Sequence, residues 1–276
     1  MRVDAHQHFW RYNEDEYAWI RPGMEALKRD FLPEHLEPEL HRAGIDKAIS
    51  VQARQTLAET QWLLELAAQF SFIAGVVGWV PLTDPSVEEK LVELASNSRL
   101  RGVRHVVQDE PDDHFILRED FNRGVGLLHR FGLVYDILIY ERHLPQAIRF
   151  VDRHPEQIFV LDHIAKPRIR DGILEPWATH IQELARRPNV YCKVSGMVTE
   201  ADWCNWTEDG LRRYFDIVLE AFGARRLMFG SDWPVCLLAS TYERWARCVE
   251  TWINELSLDE REAILGATAS RVYRLE

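Results

Sequence analysis

Short β-branched and apolar runs recur along the chain at fairly even spacing, and each hands over to a stretch whose apolar positions repeat with the period of a helix. The runs predict eight strands: Arg2 to Ala5, Lys47 to Gln52, Ile73 to Val80, Gly102 to Val107, Leu133 to Ile139, Ile158 to Leu161, Val190 to Val194, and Leu227 to Phe229. Between Glu59 and Phe70, the residues Trp62, Leu63, Leu66, Ala67 and Phe70 fall on one helical face. Further helices are predicted at Val87 to Ser96, Phe121 to Phe131, Leu144 to Asp152, Pro176 to Arg186 and Leu211 to Phe222. Glycines follow Ala43, Phe131 and Phe222, where they mark helix stops just before the next apolar run.

Eight β/α alternations in 276 residues match an α/β fold of the (β/α)8 TIM-barrel type, whose usual length is ~250 residues. An open, doubly wound sheet shares the alternation but carries a Gly-rich phosphate loop after its first strand. Histidines occupy that position here. No Ser/Gly/Pro-rich linker or charge run divides the chain, so a single domain over residues 1–276 is expected.

Composition narrows the partners. A net charge of −11 with 33 dispersed basic residues offers no basic block to follow a phosphate backbone, so no nucleic-acid partner is expected. Apolar stretches such as Phe72 to Leu82 fall well short of the ~20 residues of a membrane helix. Arg2, Asp4 and two histidines stand where a secretion signal would be apolar, and the expected setting is the cytoplasm, away from membranes. Cys192, Cys204, Cys236 and Cys248 contain no CxxC pair, which fits reduced thiols rather than a disulfide frame or zinc knuckle.

In a barrel of this kind the chemistry gathers at the C-terminal ends of the strands. The first strand ends in Asp4-Ala5-His6-Gln7-His8, and residues two apart in a strand share a side, so His6 and His8 can aim two imidazoles at one point. The fourth strand carries Arg104 and His105, the fifth Asp136, and the sixth runs into Asp162-His163-Ile164-Ala165-Lys166. The seventh ends Lys193-Val194-Ser195-Gly196 and the eighth Gly230-Ser231-Asp232-Trp233. Each has a bland reading: a strand-end Asp as a helix cap, His163 as a satisfied buried histidine, Lys193 as a solvated rim charge, Arg104 as a partner of Asp136. Their combination, one element per strand end, is what singles out a site. The other seven histidines, His35, His41, His114, His129, His143, His154 and His180, have charged or polar neighbours and read as surface residues.

The set resembles the amidohydrolase superfamily, whose barrels carry an HxH after strand 1, a histidine after strand 6 and an aspartate after strand 8. The segments HQHFW, GVVGWV, GVRHVVQDEPD, LDHIAKP, NVYCKVSGMVTEADW and MFGSDWPV are similar to the sugar-lactonase branch of the family 2 amidohydrolases, which includes L-fuconolactonases and L-rhamnonolactonases. The resemblance covers nearly the whole chain. It implies a hydrolase that opens an L-fucono-, L-rhamnono- or L-galactonolactone-like ring to the free aldonic acid, with His6, His8, His163 and Asp232 as metal-ligand positions. The strand 4 lysine or glutamate that bridges two metals in many relatives has no counterpart in Gly102-Val103-Arg104-His105. The expectation is therefore one divalent, zinc-like metal or none.

Lactone hydrolysis needs an activated water, an electrophile for the oxyanion and a proton for the leaving alkoxide. Asp232 is assigned as the base, with His163, Arg104 and His105 available to stabilise the oxyanion. For the small-molecule sugar lactone, Trp10, Trp19, Trp79 and Trp233 offer flat faces and Gln52, Arg54, Arg104, Asp136 and Lys166 offer hydroxyl partners. No arginine cluster is visible at the strand ends, which favours a neutral lactone over an anionic pyrone. The alternatives carried are a metal-dependent aromatic-acid decarboxylase, an anionic-pyrone hydrolase, a phosphoesterase barrel and a binding protein that has lost its chemistry. Oligomeric state, including a homo-oligomer, is open at this stage.

Overall fold

The computed structural model describes residues 1–275. Its strands are β1 (Val3–Gln7), β2 (Lys47–Val51), β3 (Ile73–Gly78), β4 (Leu100–Val106), β5 (Val134–Leu138), β6 (Phe159–Leu161), β7 (Val190–Val194) and β8 (Leu227–Phe229). Each pairs in parallel with the next in chain order. The seam between β1 and β8 is closed just past the strand ends, where the Asp232 amide donates to the His6 carbonyl at 2.8 Å and the His8 amide to the Trp233 carbonyl at 2.7 Å. The Asp4 carboxylate reinforces it, accepting from the Ser231 amide and the Tyr242 hydroxyl.

The outer helices are α1 (Pro33–Ala43), α2 (Leu57–Gln69), α3 (Val87–Ala95), α4 (Glu119–Leu128), α5 (Leu144–Asp152), α6 (Trp177–Ala185), α7 (Glu208–Phe222) and α8 (Tyr242–Ile253), followed by the short α9 (Leu258–Glu262) and α10 (Thr268–Val272). The expected strands are all present, with β3 ending at Gly78, short of its apolar run, because the Trp79 amide donates to Thr60 Oγ1 instead of to a neighbouring strand. Of α1 only the stop at Gly44 was expected, and α8 to α10 were not among the expected elements. In α8 the signal exists: Tyr242, Trp245, Ala246, Val249, Trp252 and Ile253 are buried at helical spacing. Among the described residues, no helix is long and apolar enough to cross a membrane.

Strand alternation divides the interior into two layers. On β5, Tyr135 and Ile137 join the large cluster beneath the helices, whereas Val134 packs with Ala5, Val51, Val77, Val160 and Met228 inside the barrel. Tyr273, just after α10, belongs to this inner cluster and its hydroxyl donates to Asp136 at 2.8 Å. The C-terminal segment thus plugs the floor opposite the site.

Two glycines of α4 should respond oppositely to alanine. A Cβ on Gly124 would lie 2.0 Å from the Leu82 carbonyl oxygen, whereas one on Gly126 meets only His154 at 3.7 Å. Gly124→Ala should destabilise the protein by about 1–3 kcal/mol through overpacking. Gly126→Ala should gain ~0.5–1 kcal/mol from helix propensity. Thermal or denaturant unfolding of the two variants checks both signs.

Candidate active site

Three imidazoles and one carboxylate meet at the C-terminal mouth of the barrel. His6 lies near the end of β1, fully buried, where the pairing with β2 shifts register between Asp4 and Gln7, and His8 follows just after the strand. Their Nε2 atoms are 3.1 Å apart. Asp232 Oδ1 lies 3.4 Å from His8 Nε2 and 3.9 Å from both His6 Nε2 and His163 Nε2. The far nitrogen of each ring is tied down: His8 Nδ1 to the Val51 carbonyl at 2.8 Å, His163 Nδ1 to Ser195 Oγ at 2.8 Å, and His6 Nδ1 to Asp162 and Lys193 at 3.3 and 3.2 Å. A carbonyl only accepts, so His8 Nδ1 carries the proton and its Nε2 presents a lone pair. His6 Nε2 faces the Arg104 donor Nη1 at 3.3 Å and does the same.

Burial governs the protonation of these groups. It lowers His8, drives His6 well below the usual range against the opposing pull of Asp162, and takes His163 down to about 4. All three are neutral and ligand-competent at neutral pH. Burial alone would raise Asp232, but the neighbouring His163 and the hydrogen bond with His8 outweigh it, and its carboxyl sits below the ordinary value. His6, His8 and Asp232 thus offer ligand atoms within 4.8 Å of one another. Two facing nitrogen lone pairs beside an ionised carboxylate are the donor set of a divalent transition metal.

Under this floor lies a buried charge cluster. Lys193 Nζ bonds Asp136 and sits 3.0 Å from Asp162 Oδ1, while Arg104 Nη1 donates to Asp162 Oδ2 at 3.0 Å. Arg104 Nη2 also donates to the Gln52 carbonyl. Lys193 is therefore no rim charge, and Arg104 pairs with Asp162 rather than Asp136.

Above the floor opens a cavity of about 660 Å³. The segment after β6 shapes one side through four consecutive left-handed residues, His163, Ile164, Ala165 and Lys166, with φ between 49° and 63°. In so tight a turn residues three apart share a face, and both His163 and Lys166 line the cavity. Gly196, at φ 64°, makes room, because a Cβ there would come within 2.6 Å of the His163 ring.

Of the residues expected at the site, His8, Arg104, His163, Lys166 and Asp232 line the cavity, and His6 lies directly beneath. Others do not reach it. His105 follows Arg104 on the opposite face of β4, bonds Glu110 at 2.6 Å and stacks on Phe115, so it is outside the barrel and not an oxyanion donor. Trp79 donates to that same His105, while Trp10 and Trp233 pack around Phe31. Gln52 and Asp136 are fully buried partners of Arg104 and Lys193. Of the four expected tryptophans only Trp19 lines the cavity, where Tyr140 and Trp203 join it as aromatic walls. Three arginines do border the cavity, contrary to the sequence expectation, but Arg54 is paired with Glu16 and Arg104 with Asp162. Among the supposed surface histidines, His143 is fully buried against Asp113, and His154 and His180 are half-buried.

The amidohydrolase family model matches residues 3–275. An L-fucono-1,5-lactonase of Burkholderia multivorans is 46% identical, across 100% of this chain and 96% of its own. One of Burkholderia ambifaria is 37% identical with the same coverage. A crystal structure of a Burkholderia multivorans amidohydrolase with bound zinc superposes with a TM-score of 0.97 at 46% identity, over 100% of both chains. With the barrel, the β1 histidine pair, His163 and Asp232 all in the expected places, this chain belongs to the amidohydrolase family.

Proposed function

We propose that this enzyme hydrolyses a neutral sugar-acid lactone, of the L-fucono-1,5-lactone type, to the free aldonic acid. The observation that carries the reading is a charge-balanced cavity ending on an ionised carboxylate. Arg21, Arg54, Arg104 and Lys166 are matched by Glu16, Asp109, Glu200 and Asp232 around one space. A dianionic pyrone or an aromatic acid would need an excess of cations there. The full-length similarity to L-fucono-1,5-lactonases supports the sugar.

Asp232 takes the proton of the attacking water and returns it to the ring oxygen as the alkoxide leaves, the microscopic reverse of its first role. Its low carboxyl pKa keeps it available as a base at neutral pH. The Arg104 guanidinium, held by Asp162 and Gln52, fixes positive charge on the floor beside the carbonyl that is attacked. His6, His8 and Asp232, with His163 alongside, would hold one divalent zinc-like ion, which supplies Lewis-acid polarisation and a more acidic water when bound. A second ion has no room on this reading, because Arg104 and Lys193 already bring two cations against His6.

Asp232→Asn should lower kcat on L-fucono-1,5-lactone by ~10²–10⁴-fold without lowering the thermal midpoint, measured by acid release with a pH indicator. Retained turnover would remove Asp232 from the chemistry. Dialysis against a chelator should abolish activity and one equivalent of zinc should restore it, with metal content read by elemental analysis; full activity in metal-free protein would leave the imidazoles to act on substrate alone.

A further inference from the structure

Lys166 and Glu200 face the cavity from neighbouring loops, after β6 and β7, and neither side chain makes a hydrogen bond among the described residues. Their backbones are anchored: the Lys166 amide donates to the His163 carbonyl at 2.8 Å, and the Glu200 carbonyl accepts from the Arg170 amide at 3.0 Å. Lys166 Nζ also stands 5.5 Å from the Tyr140 ring centroid. Nζ and Glu200 Oε1 are 3.9 Å apart, too far to bond each other. An oxygen ~2.8 Å from each would subtend about 90° between them, about 20° tighter than the tetrahedral donor and acceptor directions of a hydroxyl and within the broad angular range of such bonds.

We propose that Lys166 and Glu200 are specificity-determining residues that together read one hydroxyl of the sugar ring, Lys166 donating to its oxygen and Glu200 accepting its proton. The proposal rests on the lactonase reading. A hydroxyl fits this gap better than the alternatives. An anion would meet Glu200, and a cation would meet Lys166, so either pays for a like charge. Only a group that donates and accepts satisfies both. The left-handed turn that presents His163 presents Lys166 on the same face, so the hydroxyl reader and the catalytic floor are fixed relative to each other by a single local conformation. Burial raises the Glu200 carboxyl against the opposing charge of Lys166, as expected for a carboxylate whose partner is displaced beyond contact. Elsewhere on the wall, Trp19 Nε1 and Gln108 Oε1 are also buried without hydrogen-bond partners among the described residues, consistent with a ligand that brings several hydroxyls.

The test pairs deletions in the protein with deletions in the substrate. kcat/KM is measured for wild type, Glu200→Gln and Lys166→Met on the L-fucono-1,5-lactone and on its monodeoxy analogues, one ring hydroxyl removed at a time. In wild type, one particular deoxy analogue should lose at least ~100-fold, because a site built around a hydroxyl leaves its own polar groups unpaired without it. In both variants that same penalty should shrink below ~10-fold, while penalties for the other hydroxyls stay as in wild type. Each penalty is a ratio within one preparation, so a partly unfolded variant does not distort it. If every penalty is unchanged in both variants, or only one variant changes any of them, the pair does not read a hydroxyl and the proposal falls while the lactonase reading stands. If wild type opens none of the lactones, the lactonase reading falls and this proposal with it.

Discussion

Compensation of charge inside the barrel is the constraint on which the site depends. Arg104 comes from β4, Asp136 from β5, Asp162 from the end of β6 and Lys193 from β7, and all four are essentially excluded from water. Each would be prohibitively costly alone. Two cations and two carboxylates offset one another only when four adjacent strands are in register, so the cluster ties correct strand pairing to a tolerable interior. Loss of one partner would leave an uncompensated charge, at a cost of about 3–5 kcal/mol. Tyr273 adds a hydroxyl from the C-terminal segment to Asp136, which links the plug at the barrel floor to the same cluster.

The rim is held by a second device, backbone conformation. A left-handed residue other than glycine costs roughly 1–2 kcal/mol, and the run His163 to Lys166 contains four in succession, with Asp232 a fifth at φ 56°. Such conformations persist only where surrounding bonds over-determine them. Trp177 Nε1 donates to the Ile164 carbonyl at 2.7 Å, Ser195 holds the His163 ring, and the Asp232 amide is fixed on the His6 carbonyl. The anchors all lie outside the cavity, which leaves the functional ends of His163, Lys166 and Asp232 free for a ligand. The interactions that hold the site are thus separate from those that would use it, as preorganised sites require.

Much of this was legible in the sequence, and the boundary follows from geometry. Strand order and the β1, β6 and β8 site residues could be read because short continuous apolar runs and their terminal polar residues are local signals. Which face of β4 turns inward is not local: Arg104 and His105 are both polar, and only the pairing of Arg104 with Asp162 across two strands decides that His105 points out. Lys193 was invisible for the same reason, since a lysine in a strand is ordinarily solvated and its partners Asp136 and Asp162 lie 57 and 31 residues away (193 − 136 and 193 − 162). Cavity walls were hardest. Tyr140, Glu200 and Trp203 sit in irregular loops, where no periodicity reports direction, and of the tryptophans expected at the rim Trp19 reaches the cavity while those nearest the strand ends are consumed by packing.

The two β1 histidines prove unequal because they stand at different depths. His8 borders the cavity, and one carbonyl bond fixes its ring. His6 is sealed beneath, with Lys193 and Asp162 on one nitrogen and Arg104, His8 and Asp232 around the other. A substrate can touch His8, His163 and Asp232, but it cannot touch His6. Any effect of His6 on a reaction must pass through a group lodged between the imidazoles or through the position of Asp232, whose amide it anchors by its carbonyl. His6 therefore joins the buried charge cluster to the cavity floor, and a change in the charge of Lys193 would reach the carboxylate base through this ring and its backbone rather than across open space.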